Sequence, residues 1–394
     1  MNENERENER NVRLYKWYMT LRKPVLWGPI LISGIIHLGQ MNLPEIYFME
    51  AIVLVGTIIL QVPTGALADL IGRKKTVIIG SILYAISAMW FALMRTPFDV
   101  WGANIAWMLG ASLCSGADSA FLYDSLKSVG KESEYKKIDG EATGNQLLIV
   151  AFCALATGYL AEYSLRLPLL LSIPGVLFSA AIPFFFKEPR TEKKFSATEQ
   201  MGMMHTGISF VMRHNKVLWI IGFTTLINVA GKIWFFTYNP YFELVNLDLK
   251  YYGVVFFLLG VIAWFFSKYA HRISEKIAER NIVVLIVALV GFPILVMGSC
   301  ISVVSVCMIF PQNIVRGFMR PFFGDLLNRQ LGSENRATVI SVQSAVSGLA
   351  QFVALGGFGY ALAALGLPLC LQVLGVITMA LGITAILGHR KIFG

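Results

Sequence analysis

Five ionisable side chains, Glu50, Asp118, Lys232, Arg316 and Arg320, stand inside or at the edge of long stretches that carry no other charge. An unpaired charge costs about 2.5–3.5 kcal/mol at the centre of an apolar helix, so each should meet a wet cavity or an opposite charge. The carboxylates can exchange a proton, and the cations can neutralise an acid or hold an anion. Helical spacing surrounds most of them with polar groups. Glu50 shares a face with Thr57, Gln61 and Thr64, Asp118 is in line with Asn104 and Ser115, Lys232 is flanked by Asn228 and Asn239, and Gln312 lies a turn above Arg316. Plainer readings stand beside these. Glu50 fits a place at headgroup level, Arg316 and Arg320 fit side chains that snorkel to water, and Asp118 fits a fixed partner of Arg73 or Arg320. Trp234, Phe235, Phe236, Tyr238 and Tyr241 fit either a lipid-facing aromatic belt or a stacking surface for a solute or cation.

The elements that must carry these residues are set by composition. The 394 residues are 56% hydrophobic and 14% charged, against roughly a quarter charged in a soluble chain. Charge-free windows at 24–44, 51–68, 76–94, 100–117, 142–161, 167–186, 217–231 and 251–267 each suit one helix of about 20 residues, and those at 281–315 and 337–388 each suit two. The expectation is an all-α membrane protein of twelve spans. A soluble enzyme, a nucleic-acid-binding domain and a receptor with one anchor helix are excluded. With the N-terminus inside, 29 of the 33 Lys and Arg fall in cytoplasmic segments, which puts both ends in the cytoplasm of a multi-pass cell-membrane protein. The net charge of +9 then reflects orientation and contact with anionic lipid, with no nucleic-acid partner.

Polar breaks divide the chain into a solvated, disordered tail (1–23), a first six-helix bundle (24–186), a linker (187–216), a second six-helix bundle (217–388) and a short tail (389–394). Sliding the second half over the first by 201 residues matches Gly116 with Gly317, Asp124 with Asp325, Gly158 with Gly359 and Tyr159 with Tyr360; at 200, the run LPL at 167–169 falls on LPL at 367–369. Ordered matches in one register with one slip indicate a duplication. Two parallel repeats imply a pseudo-two-fold axis along the membrane normal, with a solute site near the midplane. Cys114, Cys153, Cys300, Cys307 and Cys370 lie in apolar windows without metal-ligand spacing and read as reduced core residues. No Ser-His-Asp set, HExxH pair or Walker loop is present, so no catalytic residue, metal or cofactor is expected. Energy would come from an ion gradient or the solute's own gradient.

The turn GALADLIGRKKT, Gly65 to Thr76, closely resembles the signature of the major facilitator superfamily, with Gly65, Asp69, Gly72, Arg73 and Lys74 at the pattern positions. Its second-half counterpart near Ser267, His271 and Arg272 is degenerate. SGADSAFLYDSLK at 115–127 and RGFMRPFFGDLLNRQ at 316–330 resemble a bacterial and archaeal branch of that superfamily whose members mostly lack assigned substrates. The resemblance implies alternating access, with the signature turn as a cytoplasmic latch. Gly65 would permit close helix approach, Asp69 would accept from Arg73 or from a facing helix N-terminus, that starting near Thr338 fitting best, and Arg73 would engage Asp124 or another acid of the fourth span. Two departures weaken a drug–proton antiporter reading: Ala106 stands where an Arg is usual, and Leu155 where a Pro is usual.

The expected function is proton-coupled export of a small organic solute by a monomer, with Asp118 and then Glu50 as candidates for the coupling acid. Lys232, Asn228, Asn239, Gln61, Arg316 and Arg320 are the candidate solute or gating residues, and Glu50 and Lys232 are expected to approach each other. Uptake or facilitated passage of a charged, anionic metabolite is the alternative, and a membrane sensor that moves nothing is the second. An impermeant thiol reagent applied from outside should modify Pro97→Cys and spare Ser196→Cys; labelling of Ser196→Cys would overturn the orientation.

Overall fold

A chain surrounded by hydrocarbon must satisfy its backbone N–H and C=O groups internally, and the helix does so within one segment. The computed structural model describes residues 3–188, 208–331 and 336–393. The helices are α1 Glu3–Leu21, α2 Leu31–Gly39, α3 Leu43–Ile71, α4 Arg73–Leu93, α5 Pro97–Lys127, α6 Tyr135–Tyr163, α7 Arg166–Ala181, α8 Asn215–Leu244, α9 Leu249–Lys276, α10 Glu279–Ser299, α11 Ile309–Arg329 and α12 Arg336–Phe393, with no strand among the described residues. Most of the expected linker, 189–207 with Ser196, lies outside the described residues. Local chemistry marks some ends sharply. At the start of α5, Pro97 follows an N-cap Thr96 whose Oγ1 accepts from the Asp99 N–H at 3.3 Å, while Asp99 Oδ2 accepts from the Thr96 N–H at 3.0 Å.

Among the described residues, nine helical segments are long and apolar enough to cross a membrane. The difference from twelve has three sources. The last segment, Thr338–Phe393, contains Gly366 at φ 73°, where the helix breaks in two. Helix α11 carries Arg316, Arg320 and Asp325, which lower its hydropathy. The window at 24–44 is no continuous helix: residues 22–30 are non-helical between α1 and α2. Pro24 and Pro29 explain the interruption, since each removes a backbone donor and pushes the preceding residue out of the helical region.

The N-terminal segment also departs from expectation. It is ordered as α1, packed against α5, α6 and α7. Tyr15 and Tyr18 enter a core with Phe121, Leu122, Ile138 and Phe186. Asn11 brackets Lys187, donating to its carbonyl at 3.0 Å and accepting from its N–H at 2.9 Å. The charged composition of the tail hid a helix that buries Tyr15 and Tyr18 in its C-terminal half while leaving Trp17 exposed.

The chain forms two compact units. Unit 1 comprises Met1–Met41, Ile52–Glu199 and Leu249–Phe256; unit 2 comprises Asn42–Ala51, Gln200–Asp248 and Phe257–Gly394. One glycine pair matched by the internal repeat, Gly158 and Gly359, does the same work in each, whereas Gly116 has no atom near its Cβ position and its match Gly317 packs against the Ala263 carbonyl. A Cβ on Gly158 of α6 would stand 2.4 Å from the Lys250 carbonyl oxygen at the start of α9, and one on Gly359 of α12 would stand 3.0 Å from the Pro44 carbonyl oxygen at the start of α3. Backbone approach of this kind requires a residue without a side chain. Gly65 is different: no atom lies within 4 Å of where its Cβ would be, so it does not serve the close approach expected of it. A contact between α3 and α5 forms one residue earlier, where Thr64 Oγ1 donates to the Ser112 carbonyl at 2.9 Å. Gly158→Ala should therefore lower the unfolding midpoint in detergent, by the equivalent of about 1–3 kcal/mol for overpacking. Gly65→Ala should leave it unchanged or raise it slightly.

Candidate functional site

In unit 1, the polar centre forms where the helix of the first span is interrupted. Arg22, immediately after α1, is ion-paired with Asp118 of α5, and Tyr18, one turn before Arg22, donates to the other Asp118 oxygen at 3.0 Å. Asp118 is 4% exposed and Tyr18 fully buried. The guanidinium also lies 5.6 Å from the centres of both the Tyr18 and Tyr84 rings, a cation–π sandwich. An aromatic row continues from Tyr84 to Trp107 (4.6 Å between ring centres) and to Trp27 of the interrupted segment (6.5 Å). The unwound backbone is satisfied by side chains: the Leu26 N–H donates to Ser172 Oγ at 3.2 Å, and Thr157 Oγ1 donates to the Leu26 carbonyl at 3.2 Å. Interrupted helices persist at membrane depth only where protein or a polar cavity answers their backbone groups.

A second cluster in unit 1 surrounds the turn between α3 and α4. Arg73 lies 3.4 Å from Asp69 and 3.2 Å from Asp124. Gly72, at φ 99°, leaves the first N–H groups of α4 without a capping side chain of its own. Glu188 supplies one, accepting from the Arg73 N–H at 2.7 Å and the Lys74 N–H at 2.9 Å. A carboxylate is favoured at a helix N-terminus by both the free donors and the dipole.

In unit 2, Lys232 Nζ lies 3.9 Å from Glu50 Oε2 and 4.7 Å from the centre of the Phe236 ring. Beneath this pair, Tyr47 donates to the Ile233 carbonyl at 2.6 Å and lies 2.7 Å from Thr237 Oγ1. One turn further, Asn313 of α11 donates to Tyr238 Oη at 3.1 Å, and the Arg316 guanidinium lies 5.9 Å from the centre of the Phe235 ring. Three buried polar atoms in this region, Trp234 Nε1, Gln312 Nε2 and Asn313 Oδ1, meet no partner among the described residues.

Residues 25–355 match the family profile of the Major Facilitator Superfamily. The chain belongs to the Major Facilitator Superfamily. It is 22% identical over 373 residues to the uncharacterised MFS-type transporter YxaM of Bacillus subtilis (strain 168), which covers 89% of this chain and 88% of that protein. Among solved structures, the nucleoside transporter NupG superposes with a TM-score of 0.74 at 12% identity, covering 100% of this chain and 99% of that one. A D-xylose-proton symporter superposes with a TM-score of 0.70 at 12% identity and 95% coverage of each. At these identities, the structures attest the fold. Family membership makes the chain a multi-pass membrane transporter of a small molecule.

Within this major facilitator protein, the expected site residues fall into several environments. Asp69, Gly72, Arg73 and Asp124 assemble around one turn, joined by Glu188 from the start of the expected linker. Asp118 meets Arg22 rather than Arg73 or Arg320, and its expected companion Ser115 is exposed. Glu50 and Lys232 face each other, but Gln61 and Asn228 are exposed while Asn239 is buried. The aromatic run is not a lipid-facing belt, since Trp234, Phe236, Tyr238 and Tyr241 are all buried. Cys300 and Cys307 are exposed rather than core residues. Arg22 and Tyr18 were missed because they were read as part of a solvated tail; their four-residue spacing ahead of the first apolar window was the available signal.

Removing one member of a buried pair leaves a charge without its partner, at a cost of about 3–5 kcal/mol, whereas removing both does not. Arg22→Gln should thus lower the unfolding midpoint more than Arg22→Gln with Asp118→Asn. Glu50→Gln and Lys232→Met should show the same pattern in transport. Additive losses in either double variant would show that its partners do not interact.

Proposed function

We propose that this chain is a twelve-span secondary transporter that exports a small organic solute by alternating access, in exchange for protons, with both termini in the cytoplasm. The observation that carries the coupling is the Arg22–Asp118 pair. It is buried, it costs insertion energy that apolar residues would avoid, and it joins α5 to the unwound segment after α1. Proton uptake by a buried acid is opposed by a neighbouring cation and favoured when that cation withdraws. Asp118 is thus the coupling acid and Arg22 its displaceable counter-charge, with Glu50 second in line. The cluster of Asp69, Gly72, Arg73 and Asp124 acts as the conformational latch.

A second reading, inward passage of an anionic solute, is favoured by the cations of unit 2. Arg316 and Arg320 are exposed, and Arg316 meets the Phe235 ring. The unpartnered Gln312 and Trp234 donors nearby would suit the oxygens of such a solute.

The test is a panel of organic cations, anions and neutral compounds added to everted membrane vesicles holding a pH gradient, read by a fluorescent pH probe. Proton-coupled export predicts that at least one compound collapses the gradient with the parent protein and not with Asp118→Asn. Asp118→Asn should keep solute exchange between proteoliposome compartments at no gradient. Loss of both activities would make Asp118 structural. Collapse only in right-side-out vesicles would favour uptake, and no flux in either orientation would favour a sensor.

A further inference from the structure

Unit 2 carries a groove that the transport site does not use. Its volume is about 340 Å³, and it runs between α8 and both arms of α12, lined by apolar side chains such as Val229, Ile233, Ala361 and Ile377. Val373, Ile377 and Leu381 on its wall are 47%, 48% and 49% exposed, so it opens sideways from the unit. The lining along α12 extends from Cys370 to Leu381, about 17 Å at the helical rise, the length of a hydrocarbon chain rather than of a compact solute.

Two turns beyond the groove on both helices, the chemistry changes sign. Trp219 of α8 and His389 of α12 pack with ring centres 5.0 Å apart, and Phe393 lies 5.5 Å from Trp219. Lys216 Nζ sits 5.3 Å from the Phe393 ring centre, and Arg213, Lys216, Arg390 and Lys391 are exposed there. Arg280 and Glu279 act electrostatically on the same imidazole. His389 is 5% exposed, and its Nε2 meets no partner among the described residues. An apolar slot of chain length thus ends at an aromatic collar with excess positive charge and an unanswered imidazole nitrogen.

We propose that the groove and its basic end bind one anionic diacyl phospholipid, with an acyl chain along α12 and the phosphate at Lys216, Arg390 and Lys391. Basic side chains next to a membrane helix attract anionic headgroups, and the Trp219 collar suits the interfacial level. A second copy of the chain fits less well, because it would bring the same cations against these.

The full-length chain, purified in detergent and stripped of lipid, should be titrated with palmitoyl-oleoyl phosphatidylglycerol or phosphatidylcholine and read by native mass spectrometry. One phosphatidylglycerol should bind at least fivefold more tightly than phosphatidylcholine. The triple variant Lys216→Gln, Arg390→Gln, Lys391→Gln should abolish that preference. The same neutralisation at Lys268, Arg272 and Lys276 on α9 should leave it intact. Val373→Trp, on the exposed wall, should weaken both lipids alike, which separates the groove from the headgroup site even if Ala361→Trp, deeper in the groove, fails to fold. Equal binding of the two lipids, an equal effect of both triple variants, or a dimer mass in place of the lipid adduct would overturn the proposal.

Discussion

A charge removed from water must be answered by another charge or by oriented dipoles, and this requirement organises unit 1. Arg22 would be untenable next to an apolar bundle without Asp118, and Asp118 without Arg22 and Tyr18. The pair lies at the N-terminal edge of the helix interruption. Once Pro24 and Pro29 prevent continuous winding, the freed backbone must find partners, and Ser172 and Thr157 from two other helices supply them at Leu26. Tyr84, Trp107 and Trp27 then close around the guanidinium and the unwound segment. Removing the ion pair would leave the segment without the anchor at its N-terminal end.

The second constraint is steric. Gly158 and Gly359 occupy corresponding places in the two repeats, and each lets a helix pass against backbone carbonyl at the start of a helix from the other half of the sequence. Each unit thereby includes a few turns from the opposite half, Leu249–Phe256 in unit 1 and Asn42–Ala51 in unit 2. The exchange places Glu50 in the same unit as Lys232 despite their distance in sequence. At this one matched pair, the two halves share a packing device.

The sequence revealed whatever depends on composition over many residues: helical class, most of the spans, and the signature turn. It hid whatever depends on a break in pattern. Charges in the first 23 residues masked the burial of Tyr15 and Tyr18, so Arg22 looked like a solvated residue. Glu188 looked like the start of a linker because its role, capping α4 through two backbone donors, leaves no trace in spacing. Gly65 matched its motif position without the packing attributed to it. Exposure on a helix face was equally hard to read. Gln61 and Asn228 share polar stripes with Glu50 and Lys232, yet a stripe does not say where the boundary between packed and open surface falls.

The two ion pairs differ in a way that bears on coupling. Glu50 faces Lys232 at 3.9 Å, beyond hydrogen-bond distance, and the lysine also rests on Phe236. A proton added to Glu50 would break no hydrogen bond, though it would leave Lys232 without its counter-charge. Asp118 has one oxygen occupied by Arg22 and the other by Tyr18. A proton taken up there would remove the charge that holds Arg22, and Arg22 is joined directly to the unwound segment and α1. Coupling requires a ligand to distinguish between conformations, so the acid whose protonation displaces a structural element is better suited to carry it than the acid whose protonation displaces none. The close pairing of Asp118 with Arg22, which looks like structural cement, is on this view what makes its protonation consequential.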